Sequence, residues 1–117
     1  MSKKMNIVYQ KEELGNFIDY SVNKNSITFN DELTLALNKF ERDNPVRIDI
    51  CKDKFDNLVM GVIPGLAELY AAQIDIPARE YEYVANGVND EGEPMEIPMP
   101  IGFDIKNITL TLWGQEE

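Results

Sequence analysis

Ile108, Leu110 and Leu112 alternate with Thr109, Thr111 and Trp113, and a strand is the structure that sorts such a series onto one apolar and one polar face. The same period of two recurs along the chain. Residues 5–9 can open as a strand. Residues 17–22 and 27–29 flank the polar turn Asn23-Lys24-Asn25-Ser26, as in a hairpin. Residues 46–51 and 58–63 flank a second polar connection at 52–57. Residues 79–84 alternate ahead of an acidic loop at 86–92, and the prolines at 94, 98 and 100 confine the stretch that follows to an edge or irregular strand.

Two segments read as helices. In 31–42, Leu33, Ala36, Leu37 and Phe40 line one helical face, although Leu33, Leu35 and Leu37 also alternate. Asn30 as a cap and Asn44-Pro45 as a stop favour the helix. Residues 66–73 are good helix formers throughout, between Pro64-Gly65 and Pro77, and predict a second, short one. The expectation is a mainly β chain with one or two helices. In one domain spanning 1–117 this fits a small antiparallel barrel of the OB-fold kind, with an α+β sandwich as the alternative.

Charge divides the chain. Residues 1–54 carry nine Lys/Arg against nine Asp/Glu, whereas 55–117 carry two against twelve, so the whole net charge of −10 belongs to the second half. The absence of His removes Ser-His and Cys-His nucleophile systems and the usual zinc sites. Cys51 stands alone, with no internal disulfide and no base to activate it. The carboxylate pairs Glu12-Glu13, Asp31-Glu32 and Glu80/Glu82 read as solvated faces, and Asn89-Asp90-Glu91-Gly92-Glu93 lacks the spaced ligands of a calcium loop and reads as a hairpin tip. No Gly-rich phosphate loop is present, since Gly61-Val62-Ile63-Pro64-Gly65 has no Lys-Ser/Thr after it. No enzyme activity, cofactor or metal site is expected. The basic start runs into Gln10-Lys11-Glu12-Glu13 instead of an apolar core, and no apolar run is long enough to span a membrane, so the expected location is the cytoplasm.

What remains is binding. Tyr81 and Tyr83 share a strand face with Arg79, and Trp113 lies on the polar side of its strand, either packed at an edge or open to a ligand. Arg47, Lys52 and Lys54, with Phe55 beside them, supply cations from the basic stretch 39–54, although Glu41, Asp43, Asp49 and Asp53 interleave with them. If Glu80 and Glu82 point outward instead, both Tyr rings belong to the core. This layout of aromatics, basic stretch and acidic end Gln115-Glu116-Glu117 resembles the small phage-type single-stranded-DNA-binding proteins of the OB-fold kind. The resemblance covers layout along the whole chain and includes no diagnostic motif. It implies base stacking on Tyr81, Tyr83, Trp113 and Phe55, phosphate contacts from Arg47, Lys52, Lys54 and Arg79, and a homo-oligomer.

Two other classes compete with it. Twelve acids in one half can imitate nucleic acid and dock on a basic DNA-processing protein, as an inhibitor or immunity protein does, with Glu80, Glu82, Asp90, Glu91, Glu93 and Glu96 as the contact surface. A virion or assembly component that uses the last strand as an oligomer edge is the third. Acids crowded around the rings favour mimicry, and acids on the opposite face favour DNA.

Overall fold

The computed structural model describes residues 5–115. Ten strands form three sheets: β1 (Asn6–Gln10), β2 (Tyr20–Asn23), β3 (Ser26–Phe29), β4 (Leu33–Ala36), β5 (Val46–Asp53), β6 (Leu58–Met60), β7 (Ala67–Ile76), β8 (Tyr81–Val88), β9 (Pro94–Pro100) and β10 (Thr109–Trp113). The chain is mainly β, as expected. A five-stranded sheet runs in the order β1-β10-β7-β5-β6, a three-stranded one β2-β3-β4, and β8 pairs only with β9. Pairing is antiparallel except where β1 lies parallel to β10, Ile7 opposite Leu110. The five-stranded sheet is open, with β1 and β6 as its edges, and no barrel closes among the described residues.

Alternation builds the core. Ile48 and Ile50 of β5, Ile74 and Ile76 of β7, and Ile108 with Leu110 face inward from the large sheet. Ile27, Phe29, Leu35 and Leu37 cover them from the small sheet and its continuation, in one apolar cluster. Burying each such side chain contributes roughly 1.5–3 kcal/mol. The other face of the large sheet is polar and tied across its strands. Arg47 Nε donates to Asp75 Oδ1 at 2.7 Å, Gln73 Nε2 to Asp49 Oδ1 at 2.9 Å, and Trp113 Nε1 to Gln73 Oε1 at 3.0 Å.

Neither expected helix forms. Across 31–42 the chain makes β4 and then a 3-10 turn, Leu37–Lys39. Asn30 and Asp31 adopt left-handed backbone, φ 52° and 55°, which turns β3 straight into β4 where a helix cap was expected. Asn30 Oδ1 then accepts from the Asp19 backbone N–H at 3.0 Å, so its capping chemistry serves the turn. Residues 66–73 lie largely in β7, whose paired neighbours on both sides outweigh its helix propensity. Among the described residues there is no α-helix, which removes the α+β alternative, and no helix long and apolar enough to cross a membrane. The last strand is also not an edge: β10 lies between β1 and β7.

The β8–β9 hairpin sets the outline. The molecule measures 68 × 36 × 23 Å with a radius of gyration of 18.9 Å, against about 13 Å for a compact domain of similar length. Eight strand residues extend about 27 Å. No buried residue occurs in either strand, and only Val84 and Ile97 are half-covered.

Candidate functional site

The base of the hairpin is pinned to residues 41–43. The Arg79 backbone N–H donates to the Arg42 carbonyl at 2.8 Å, and the Arg79 Nη2 group to the Glu41 carbonyl at 3.0 Å. Ion pairs join Arg79 to the Glu41 and Asp43 carboxylates, each at 3.5 Å. Beyond Tyr81 the hairpin is an arm. Tyr81, Tyr83, Ala85 and Val88 share one face with Pro94, Glu96, Pro98 and Pro100, while Glu82, Val84, Met95, Ile97 and Met99 form the other. A bulge at Asn86 and Gly87, the glycine at φ 74°, keeps this sorting in step before the tip. At the tip Asn89 Oδ1 accepts from the backbone N–H groups of Glu91 and Glu93 at 2.8 and 2.9 Å.

Alternation normally separates an inside from an outside, but among the described residues no second layer covers either side. Tyr83 is 67% exposed, and Tyr81, Val88, Met95, Met99 and Ile101 are exposed as well. The reading that put Tyr81 and Tyr83 in the core is therefore overturned. The prolines follow from the hydrogen-bond phase of the hairpin. Ile101 N–H donates to the Glu80 carbonyl and Asn89 N–H to the Glu93 carbonyl, so positions 94, 98 and 100 are those whose N–H would point away from β8. Proline there loses no internal bond, and among the outward-pointing positions of β9 it leaves only Glu96 with a donor.

The eight residues singled out from the sequence do not converge on one site, although Lys52 and Trp113 line one groove. Arg79, Tyr81 and Tyr83 lie on the arm and its root, Arg47 and Trp113 on the polar face of the large sheet, and Lys52, Lys54 and Phe55 around the β5–β6 loop. Trp113 is half-buried, stacked on Tyr70 with centroids 5.3 Å apart and planes at 28°. It is thus packed at an edge more than offered as a free ring. The cations are largely engaged. Arg47 is held by Asp75, whose hydrogen bond raises its already high pKa further, and Lys52 Nζ lies 3.3 Å from Asp56. Acids also stand beside the rings, Asp43 on the Tyr81 hydroxyl and Glu96 on the face of Tyr83.

Sequence reasoning missed Tyr70, Gln73, Leu66 and Leu69, because it placed them on a helix. It also missed the apolar series Met95, Ile97 and Met99, whose period of two was visible between the prolines. Comparison with protein-family models, with curated proteins and with solved structures finds no match to this chain.

Proposed function

We propose that this chain is a non-catalytic docking module that holds a partner protein through the β8–β9 arm. The observation that carries the reading is the arm's uncovered apolar surface, presented on two faces by Tyr81, Tyr83, Val88, Met95 and Met99. Clustered exposed apolar side chains of this kind mark interaction sites. Glu80, Glu82, Asp90, Glu91, Glu93 and Glu96 surround them and steer the arm toward a cationic surface, which suits a basic partner. Placing the photo-crosslinker p-benzoylphenylalanine at Tyr83 in producing cells tests this. Illumination is expected to yield a protein adduct, and adducts with nucleic acid alone, or none, reject the reading.

Single-stranded DNA binding is the second reading. It is supported by the Tyr70–Trp113 stack in a groove of about 300 Å³ that Lys11 and Lys52 also line. Stacking contributes on the order of 1–3 kcal/mol per base, and a five-stranded sheet has the strand number of an OB-like barrel. Asp53, Asp56 and Glu68 line the same groove and oppose phosphate. Anisotropy of labelled oligo-dT at low and moderate salt, with Trp113 emission followed, decides between the two. Saturable, salt-sensitive binding that quenches the Trp transfers the weight to DNA; absence of binding at low salt removes that reading.

A further inference from the structure

Resting on the docking reading, we propose that the arm's partner presents an extended basic segment, and that this segment adds to the arm as a third strand along the open edge of β8. The phase of the hairpin decides which edge is open. The Ile101 N–H donates to the Glu80 carbonyl and the Asn89 N–H to the Glu93 carbonyl. In the pairs Tyr81↔Pro100, Tyr83↔Pro98, Ala85↔Glu96 and Val88↔Pro94 the backbone groups therefore point away from the partner strand. Three of these four positions are proline on β9, none is proline on β8, and among the described residues no strand other than β9 pairs with β8. The outer edge of β8 thus offers a row of N–H and C=O groups for pairing. The body takes up this series only at its root, where the Arg79 N–H donates to the Arg42 carbonyl, and no such bond reaches Tyr81, Tyr83 or Ala85 among the described residues.

Charge selects the occupant. Residues 80–105 contain no Lys or Arg, and 80–96 contain six acids, none of which has an ion pair among the described residues. The cation at the root, Arg79, is held by the Glu41 and Asp43 carboxylates. A second β8 brought to this edge would add six more acids, whereas a strand bearing Lys or Arg answers those present. Opposite charges across a strand pair stabilise it, and like charges oppose it. Glu80 and Glu82 alternate with Tyr81 and Tyr83, so the added strand carries its cations on the face of Glu82 and apolar side chains on the face of the two rings. Backbone bonds supply the attachment and the alternating side chains the selectivity, as in strand addition generally.

Titration of the full-length chain with three capped eight-residue peptides tests this. The first alternates Val and Lys, the second alternates Val and Glu, and the third repeats Lys-Lys-Pro-Pro, which keeps the cations and sets prolines in both phases of a strand. The Val/Lys peptide is expected to bind and to slow amide exchange at Tyr81, Tyr83 and Ala85, while Glu82 and Val84, already bonded to β9, change little. The other two are expected to bind at least tenfold more weakly. Ala85→Pro takes one donor from the open edge and, by its phase, none from the hairpin. Its circular dichroism is expected to match that of the native chain and its affinity for the Val/Lys peptide to fall at least tenfold. Absence of Val/Lys binding at millimolar concentration, equal binding of either control, or binding that leaves the three amides unprotected overturns the proposal, and the exchange measurement needs only the native chain. Crosslinking from Tyr83 separates this failure from failure of the docking reading. An adduct with a different protein beside a failed titration overturns strand addition alone, an adduct with a second copy of this chain overturns the basic partner, and absence of any protein adduct overturns both this proposal and the docking reading.

Discussion

The Tyr81 hydroxyl donates to Asp43 Oδ1 at 2.6 Å, and this bond ties the first residue of the arm to the body. Arg79 shares the same carboxylate, so Asp43 anchors two consecutive outward positions of the arm's root. Tyr81→Phe keeps the ring and removes the donor. A hydrogen bond to a charged group at an exposed site is worth about 1 kcal/mol. Amide exchange in 81–88 and 94–100 is expected to accelerate several-fold, with exchange in β7 and β10 unchanged. Equal acceleration in the central strands would refute a local anchoring role.

Cys51 is fully buried, and burial, with a smaller contribution from Asp49, pushes its thiol above the ordinary range. The folded state thus favours the protonated form. Its contribution to stability is whole below the thiol's unfolded pKa of about 8.5 and declines as pH rises through the raised folded value. Native protein is expected to resist Ellman's reagent until denaturant is added, and its melting temperature should fall above about pH 9 more steeply than that of Cys51→Ala. Rapid labelling of the native protein would contradict this burial.

The Asp53 carboxylate is held below its usual range, first by the Asn57 amide and then by the Phe55 amide. A lowered pKa means stabilisation present above the ordinary carboxylate range and lost as pH falls through the folded value. Asp53→Asn is therefore expected to destabilise the β5–β6 loop at pH 7, with the difference from the native chain shrinking below about pH 3. Loop exchange at the two pH values checks this, and a pH-independent difference would assign the effect to packing.

Gly114 ends the pairing of β10 with β1, its N–H donating to the Gln10 carbonyl at 2.8 Å. A Cβ at this position would collide with the Lys11 carbonyl oxygen, and that neighbour is backbone. Gly114→Ala should cost about 1–3 kcal/mol in chemical denaturation, the range for forced overpacking. A loss below 0.5 kcal/mol, on the order of a surface change, would show that the chain shifts freely there.

The sheet core was legible where burial and period agree. Ile108, Leu110 and Leu112 alternate in the sequence and are buried in the structure, and the turn at residues 24 and 25 joins β2 to β3. Residues 66–73 misled because Ala71, Ala72 and Leu69 carry good helix propensity, while their strand state comes from β5 and β10, both remote in the sequence. Asn30 misled differently. It has capping chemistry, but whether it caps a helix or turns a hairpin depends on Phe29 pairing with Leu33 in the next strand. Tyr81 and Tyr83 were legible as sharing a face. That nothing lies over the face is a fact of three dimensions, and their role turns on it.

The prolines at 94, 98 and 100 have a consequence for growth. A hairpin with two open edges can recruit strands on both sides and extend without limit, as fibril-forming segments do. Here the β9 side has lost three of its four outward donors and keeps only that of Glu96, so strand addition is favoured from the β8 side. An apolar arm can thus stay exposed in a concentrated solution, because two arms that paired through β8 would leave only their proline-bearing β9 strands as edges and the sheet would grow no further.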